Sequence, residues 1–406
     1  MNIIAGNPYL IRKDDKILID SNELKNFLKK SKTPFFIFLE NRIRDNIRSF
    51  CKIFKSIFNK LQIFYSVKAN FLPEICKIIT SQGIGVELVA KPELKLALEI
   101  GVPPENIIIG GPYLTKEIVE MSIKNGVKEI IVYNIDHLKR IDTIAQKFHT
   151  IQNVCLRIRS PKFNTNLGIH LTDKYLNELL KFKKLYKNVE ITTLLSHYST
   201  QMNSLEHFIK NIRNLAKNLN LLLEKGLDIM NINLGGGFPE AIIMPEKQLK
   251  KIALGIRNEL MKSDLNEKKI YFEPGRYFVG DSGLLIAKVI NITDNGWIFL
   301  NIGNHICPKF AKCSLRFYNA SNINSPHKYK ISIGGIVPTD QDVLVKDYFF
   351  TKEINEEDIV LITNVGAYTL TFSNRFPYGL PNIFIVSSKK INQIFDASTN
   401  HDFSLF

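Results

Sequence analysis

Eight short β-branched runs, separated by stretches of helical character, constrain the fold of this chain more than any other feature. They occupy residues 63–67, 85–88, 107–109, 130–133, 154–158, 192–196, 231–234 and 270–273. The stretches between them include 73–81, 92–99 and 204–225, the last with apolar residues three and four positions apart. An alternating series of eight β/α units over about 240 residues predicts a (β/α)8 TIM-type barrel of the α/β class.

The pattern changes after the eighth run. Strand-like segments joined by turns follow, with little helical period, at 284–292, 297–302, 329–333, 359–363 and 383–387. Near the start, 10–12 and 16–19 have the pattern of a hairpin that can join these strands. The sequence therefore predicts a barrel over residues 35–280 and a β-rich domain formed by residues 1–34 and 281–406.

The 406 residues carry a formal net charge of +15, from 54 basic and 39 acidic side chains. Most lysines alternate with apolar residues at helical spacing, as in 181–184, and such patterns are typical of solvated helix faces. No apolar run reaches the roughly 18 residues that cross a bilayer, and the first residues lack a basic segment followed by a long apolar one. We therefore expect a cytoplasmic protein that binds neither nucleic acid nor membrane.

Five cysteines, at positions 51, 76, 155, 307 and 313, are scattered along the chain and form no C-x-x-C pair. An odd number without paired spacing indicates neither a disulfide framework nor a zinc site. No metal is expected.

Polar residues and glycines follow several of the predicted barrel strands, which is where the chemistry of such barrels is located. Lys68 follows the first strand, His197 the sixth, Gly235-Gly236-Gly237 the seventh and Glu273-Pro274-Gly275-Arg276 the eighth. Taken singly, the lysine could equally be a surface residue, whereas a core histidine and a simple turn are the better interpretations of the histidine and the glycine triplet. Their convergence on one end of a barrel favours a binding site.

Together these residues match the requirements of pyridoxal 5′-phosphate. A desolvated Lys68 offers an amine that can bond to an aldehyde. The backbone of the glycine triplet and the guanidinium of Arg276 can hold a phosphate. Glu273 can keep a ring nitrogen protonated, and His197 can stack on the ring. The sequence therefore predicts pyridoxal 5′-phosphate as cofactor.

Five segments resemble the fold-type-III pyridoxal-phosphate-dependent decarboxylases, the family that includes ornithine and diaminopimelate decarboxylases and has an alanine-racemase-like architecture. In chain order they are Tyr65-Ser66-Val67-Lys68-Ala69-Asn70, Ser196-His197-Tyr198-Ser199-Thr200-Gln201, the glycine triplet, Glu273-Pro274-Gly275-Arg276 and Gly366-Ala367-Tyr368. The resemblance implies that Tyr368 contacts the phosphate, that Glu87 and Arg157 lie near Lys68, and that Glu93 lies at a helix start. The cofactor-binding residues it implies are Lys68, Glu87, Arg157, His197, Thr200, Gly235, Gly236, Gly237, Glu273, Gly275, Arg276 and Tyr368.

The resemblance also implies a homodimer whose active sites are shared, because in this family a loop of the partner subunit brings a cysteine and an acidic residue to each site. In the corresponding stretch, Pro338 takes the place of the cysteine and Thr339 that of the acidic residue, although a one-residue gap restores Asp340. Asn319 stands where ornithine decarboxylases offer a carboxylate to a distal ammonium. Lys68, a water molecule and Asp340 are the candidate proton donors, so the expected catalytic residues are Lys68, His197, Glu273 and Asp340.

We therefore expect decarboxylation of a small-molecule amino acid or a carrier-linked or otherwise conjugated one. A simple basic amino acid is not expected, because burying an unpaired distal ammonium costs several kcal/mol. The alternatives are diaminopimelate decarboxylation, racemisation, decarboxylation coupled to transamination, and a non-catalytic scaffold with the same fold. The scaffold has no need of Lys68, His197 and Glu273, which argues against it.

Overall fold

The computed structural model describes residues 2–162, 166–308 and 314–399. Cys313 lies outside the described residues. The chain forms two compact units, which we call the sheet unit and the barrel unit. The sheet unit comprises the described residues up to Asn46, Glu240–Ile242, and the described residues from Arg276 onward. The barrel unit comprises Ile47–Pro239 and Ile243–Gly275.

The chain begins with a small antiparallel sheet in which the strands pair in the order β1-β2-β3-β4. The predicted hairpin is β2 and β3, with Leu10 opposite Ile19. The first elements are β1 (Asn2–Ile3), β2 (Leu10–Lys13), β3 (Lys16–Ile19), β4 (Asn22–Glu23), α1 (Leu24–Leu28), β5 (Phe35–Leu39) and α2 (Glu40–Lys55).

Eight parallel strands form a closed barrel, in which β13 pairs with β6. The strands are β6 (Leu61–Ser66), β7 (Gly85–Leu88), β8 (Ile107–Gly110), β9 (Glu129–Val132), β10 (Gln152–Arg157), β11 (Val189–Leu195), β12 (Asn231–Asn233) and β13 (Lys269–Phe272). Every predicted run coincides with one of these strands, so the prediction of a (β/α)8 barrel is confirmed.

Helices follow the barrel strands, and several begin at the capping residues that their sequences supply. They are α3 (Pro73–Thr80), α4 (Lys91–Glu99), α5 (Lys116–Asn125), α6 (Ile135–Lys147), α7 (Asp173–Leu185), α8 (Leu205–Glu224) and α9 (Glu246–Lys262). The side chains of Thr115, Asn134, Thr172 and Ser204 each accept a backbone N–H of the first turn.

Side chains fill the interior of the barrel, so the barrel is a packed core and not a channel. The buried cluster consists of Phe64, Ile108, Ile131, Cys155, Leu195 and Tyr271. The ends of the strands are therefore the places where polar groups can gather.

The second sheet of the sheet unit is built around the long strand β14, which pairs with β5, β15 and β19. Its main path runs β18-β17-β15-β14-β5-β20-β21, and β16 pairs with β19. The elements are α10 (Arg276–Val279), β14 (Gly283–Ile292), β15 (Trp297–Leu300), β16 (Arg316–Asn319), β17 (Tyr329–Gly334), β18 (Val343–Phe350), β19 (Ile359–Thr363), β20 (Asn382–Ser387) and β21 (Lys390–Phe395).

The predicted domain limits at residues 35 and 280 differ from the limits of the structural units. The strand Phe35–Leu39 belongs to the sheet unit, because it pairs in antiparallel fashion with β14 and in parallel with β20. All five of its residues are buried, so their pattern does not distinguish a barrel strand from a central strand of another sheet. Glu240–Ile242 also belongs to the sheet unit, which the sequence did not predict.

Candidate active site

Lys68 directly follows β6, in the short turn Val67–Ala69, and its side chain is 42% exposed. Its Nζ atom lies 3.2 Å from Oε2 and 3.3 Å from Oε1 of Glu87, on the neighbouring strand β7. The Glu87 carboxylate is buried and also accepts a hydrogen bond from the hydroxyl of Ser66, at 2.6 Å. This network holds the amine at the end of the barrel while part of it remains accessible.

Glu273, directly after β13, is buried in the barrel unit. Its Oε1 atom accepts a hydrogen bond of 2.7 Å from Nδ2 of Asn233, on the adjacent strand. Desolvation and the negative charge of Glu87 raise the pKa of Glu273 to about 7. At neutral pH this carboxyl group can therefore hold a proton and share it with a basic ring nitrogen.

His197 follows β11, and its imidazole is neutral at physiological pH. Desolvation, reinforced by the positive charges of Arg157 and Lys68, lowers the pKa of His197 to about 3. Arg157 ends β10, where its Nη1 donates a hydrogen bond of 2.8 Å to the hydroxyl of Tyr133. A neutral ring at this position can pack against a flat aromatic ligand.

The glycine triplet after β12 has a backbone that other residues rarely adopt. Gly235 and Gly237 have φ values of +68° and +92°. A Cβ atom on Gly236 would lie 2.3 Å from the carbonyl oxygen of Glu273. The triplet therefore makes a tight turn directly beside the segment that carries Glu273, and the N–H group of Gly235 is held by Oδ1 of Asn233 at 2.8 Å.

Arg276, which follows Gly275 in the chain, belongs to the sheet unit and is only 4% exposed. Its Nη1 donates a hydrogen bond of 3.1 Å to Oε1 of Glu240, and its guanidinium carbon lies 4.8 Å from the ring centroid of Tyr368. Within the described part of the chain, its Nε and Nη2 atoms are buried without a hydrogen-bond partner. Tyr368 itself has φ +60°, a strained conformation for an aromatic residue.

The residues of both units fit pyridoxal 5′-phosphate. In the barrel unit, Lys68 offers an amine, Glu273 a carboxyl group for the ring nitrogen and His197 a neutral ring for stacking. In the sheet unit, the Nε and Nη2 atoms of Arg276, which have no partner among the described residues, are donors of the kind that a phosphate requires. When bound, the cofactor supplies the electron-withdrawing ring that allows an amino acid to lose its α-carboxylate.

Other predicted residues lie outside these networks. Thr200 is exposed in the segment after β11. Asp340 is exposed in the turn between β17 and β18 of the sheet unit.

Asn319, which stands where ornithine decarboxylases offer a carboxylate to a distal ammonium, has a structural role within the sheet unit. The residue is fully buried, and its Nδ2 donates to Oγ1 of Thr351 at 3.1 Å. Its Oδ1 accepts the N–H groups of Ser321 and Asn322, so the side chain organises the turn after β16.

Three residues of these networks were not predicted from the sequence: Asn233, Tyr133 and Glu240. Asn233 could have been recognised as a polar residue that ends a buried strand directly before the glycine triplet. Glu240 gives no comparable signal, because it lies 36 residues before the arginine that it binds.

The fold and these residues define a class: a (β/α)8 barrel with a β-rich second domain and a strand-end lysine, as in cofactor-dependent enzymes that act on amino acids. Residues 44–280 match the family model of the pyridoxal-dependent decarboxylases, described as their pyridoxal binding domain. The chain therefore belongs to the pyridoxal-dependent decarboxylases. It is an amino-acid decarboxylase whose cofactor is pyridoxal 5′-phosphate, as predicted.

Its relatives have different substrates. The diaminopimelate decarboxylase of Methanocaldococcus jannaschii is 26% identical, and the alignment covers 98% of this chain and 97% of that protein. The L-glutamyl-(BtrI acyl-carrier protein) decarboxylase of Niallia circulans is 24% identical over 87% of this chain and 88% of its own. The crystal structure of the M. jannaschii diaminopimelate decarboxylase has a TM-score of 0.88 at 24% identity, covering 97% of this chain and 96% of that one. This likeness confirms the fold.

No helix among the described residues is long and apolar enough to span a membrane.

Proposed function

We propose that the enzyme removes the α-carboxylate of an amino acid whose distal end carries a carboxylate or an acyl link, with diaminopimelate as the first candidate. Ornithine, lysine and arginine, whose distal end is only a cation, are poor substrates under this proposal. The relatives support it, since the M. jannaschii protein is named for diaminopimelate and the N. circulans protein for a carrier-linked glutamyl group.

The observation that carries the proposal is a cavity of about 360 Å³ in the sheet unit, which has side chains of both charges in its wall. Asp340, Lys346 and Trp297 line it. Asp342 also borders this cavity, but its oxygens accept the backbone N–H groups of Asn304 and Val337. Its carboxylate therefore stabilises the loop. A cavity wall that holds both an exposed carboxylate and a lysine suits a distal group that carries an ammonium and a carboxylate better than one that carries an ammonium alone.

The catalytic roles rest on the contacts in the barrel unit. Lys68 attaches the cofactor, and Glu87 keeps its amine in place. Glu273 holds the proton of the ring nitrogen, with Asn233 fixing the orientation of the carboxyl group. His197 packs against the ring as a neutral group. Lys68, a water molecule and Asp340 remain the candidates for returning a proton to the α-carbon, and Thr200, Gly275, Arg276 and Tyr368 remain predicted cofactor ligands.

The active form in this proposal is a homodimer, in which the loop that contains Asp340 completes the active site of the partner subunit. This is the arrangement that the resemblance to the family implies. The cavity with Asp340 and Lys346 would then contact the distal end of the substrate bound to the other subunit.

The test is kcat/KM from carbon dioxide release, measured for diaminopimelate, ornithine, lysine, arginine and a glutamyl group linked to a carrier protein. We expect diaminopimelate or the carrier-linked group to exceed each basic amino acid by at least about 100-fold, since mismatched burial of a charged group costs several kcal/mol. A free basic amino acid turned over at roughly 10⁴ M⁻¹s⁻¹ or better would contradict the proposal. Racemisation of the substrate without carbon dioxide release would contradict decarboxylation itself.

The carrier-linked substrate is the second candidate. The relative from N. circulans favours it, and so does the net charge of +15, because an acidic carrier protein would be attracted to a basic surface.

A further inference from the structure

The buried ion pair between Arg276 and Glu240 leaves one defined edge of the guanidinium open. Glu240 is fully buried, and its Oε1 accepts a hydrogen bond from Nη1 of Arg276. Tyr368 lies over one face of the same group. The remaining donors, Nε and Nη2, are buried and have no partner among the described residues.

Nε and Nη2 together form the side-on fork of an arginine, whose two N–H bonds run parallel. Such a fork matches two oxygens of one phosphate or carboxylate group. With Nη1 bound by Glu240 and one face covered by Tyr368, this fork is the edge of the guanidinium without a partner among the described residues. Arg276 is therefore oriented for a single oxyanion.

The surrounding chain fixes Glu240 in turn. Its segment, Glu240–Ile242, is held by Asp281, whose Oδ2 accepts the backbone N–H of Ile242 at 3.1 Å. Asp281 is itself buried and bound by Nη2 of Arg42 at 2.6 Å. Gly280 leaves room for the pair, because a Cβ atom there would lie 2.6 Å from Cγ of Glu240.

We propose that Glu240 is a positioning residue, which holds Nη1 of Arg276 so that the Nε and Nη2 fork is presented to the phosphate of the cofactor. The inference rests on the proposed function for the identity of the oxyanion. No family motif identified in the sequence contains Glu240.

Replacing Glu240 by glutamine and replacing it by alanine should affect phosphate affinity differently. Glutamine in place of Glu240 keeps an oxygen that accepts from Nη1 and removes a negative charge near a bound anion. Alanine leaves the guanidinium free to rotate and unpaired. If Glu240 acts by positioning, alanine must therefore weaken phosphate affinity and glutamine must not.

The experiment measures dissociation constants of pyridoxal 5′-phosphate, pyridoxal and inorganic phosphate for the cofactor-free full-length protein, by absorbance and calorimetric titration. For Glu240→Gln we expect binding of pyridoxal 5′-phosphate to be unchanged or up to about tenfold tighter. For Glu240→Ala we expect it to be at least about tenfold weaker, because a hydrogen bond to a charged group is lost. Inorganic phosphate should follow the same order, while pyridoxal, which lacks the phosphate, should change by less than about twofold.

Two controls isolate the contact. In an Arg276→Ala background, the difference in phosphate-dependent binding between Glu240→Ala and Glu240→Gln should disappear, because no guanidinium remains to be positioned. Asp20→Asn removes another buried carboxylate of the sheet unit, one that accepts from Ser388 and Asn41, and should leave cofactor affinity unchanged.

Equal weakening by glutamine and alanine would overturn the inference, because the charge and not the hydrogen bond would then matter. Wild-type affinity in both variants would also overturn it. If Glu240→Ala does not fold, Glu240→Met takes its place, because methionine is similar in length and has no oxygen that accepts from Nη1: binding of pyridoxal 5′-phosphate at least about tenfold weaker than in Glu240→Gln supports the inference, and equal binding in the two variants overturns it. Wild-type protein that binds the cofactor but releases no carbon dioxide would contradict the proposed function and leave the role of Glu240 intact.

Discussion

The amine of Lys68 lies 3.2 Å from a carboxylate oxygen of Glu87, and the same carboxylate is held by the hydroxyl of Ser66. Glu87 lies in β7 opposite Ser66, the last residue of β6, and Lys68 lies in the turn that follows β6, so the pairing of β6 with β7 brings the two side chains together. An amine that is paired and still partly exposed can be placed precisely and remain able to react.

Lys68 should be the residue that carries the cofactor. Purified protein is expected to be yellow, and borohydride reduction should add the mass of the reduced cofactor to a peptide containing Lys68. Lys68→Ala should abolish this label and lower kcat by orders of magnitude. Lys77→Ala, an exposed lysine of α3, is the matched control and should behave as wild type. A label on another lysine would contradict the assignment.

Glu273 should be required for turnover because of the proton it holds. Glu273→Gln can still bond to Asn233 but cannot exchange a proton with the ring nitrogen, so kcat should fall on the order of 10²-fold or more. The absorbance spectrum of the bound cofactor should change as well. Glu129→Gln is the control, since Glu129 is equally buried but begins β9 at the opposite end of the barrel. Similar losses in both variants would indicate a general effect of removing a buried carboxylate.

The barrel could be predicted because its strands are short, buried and rich in β-branched residues, and because helices of clear period separate them. The lysine, the histidine and Glu273 could be predicted because they follow those strands directly. Strand β5 was assigned to the wrong domain, since Phe35–Leu39 is apolar throughout and its partners β14 and β20 are more than 240 residues away. Glu240 and the turn role of Asn319 also depend on distant contacts that local sequence does not encode.

The contributions of Glu93 and Glu273 to the stability of the cofactor-free protein should decrease as the pH rises from about 4.5 to 7, whereas the lowered pKa of His197 gives that residue a contribution of opposite sign. Burial raises the pKa of both Glu93 and Glu273 to about 7, whereas in the unfolded chain such carboxyl groups titrate near 4.5. The folded state therefore binds protons more tightly, and the stabilisation present below the unfolded pKa is lost as the pH rises through the folded pKa. Each group contributes on the order of 1 to 3 kcal/mol.

The measurement is the free energy of unfolding by urea at several pH values. The unfolding free energy of wild type minus that of Glu93→Gln should decrease as the pH rises from 4.5 to 7, and glutamine keeps an oxygen that can accept the N–H of Val89, as Glu93 does. If the unfolding free energies of wild type and variant change with pH in parallel, the raised pKa of Glu93 is contradicted.

Active sites shared between subunits should be recoverable by mixing. A Lys68→Ala chain cannot bind the cofactor covalently, and an Asp342→Ala chain loses the carboxylate that holds the backbone of its loop. Neither homodimer should be active. After subunit exchange, a mixture of equal parts should regain about a quarter of wild-type activity, because half of the dimers are mixed and each has one intact site. Exchange demonstrated by mass spectrometry without any recovery would show that each chain builds its site alone.

The substrate should be selected by the charges of Asp340 and Lys346. Both border the cavity described above, and Lys346 is the only cation among the described residues that line it. If the distal end of diaminopimelate binds there, Lys346→Met should raise KM for diaminopimelate by about tenfold or more while kcat changes little, since the contact is far from the bond that breaks. The same variant should improve the ratio of lysine to diaminopimelate turnover, because lysine lacks the distal carboxylate.

Asp340→Asn should weaken the binding of both substrates. A loss of kcat that is larger than the loss of 1/KM would instead identify Asp340 as the proton donor. Lys389→Met, a change of an exposed lysine in the turn between β20 and β21, controls for the loss of one surface charge. If Lys346→Met leaves the selectivity between lysine and diaminopimelate unchanged, this cavity does not bind the distal group of the substrate, and other residues recognise it.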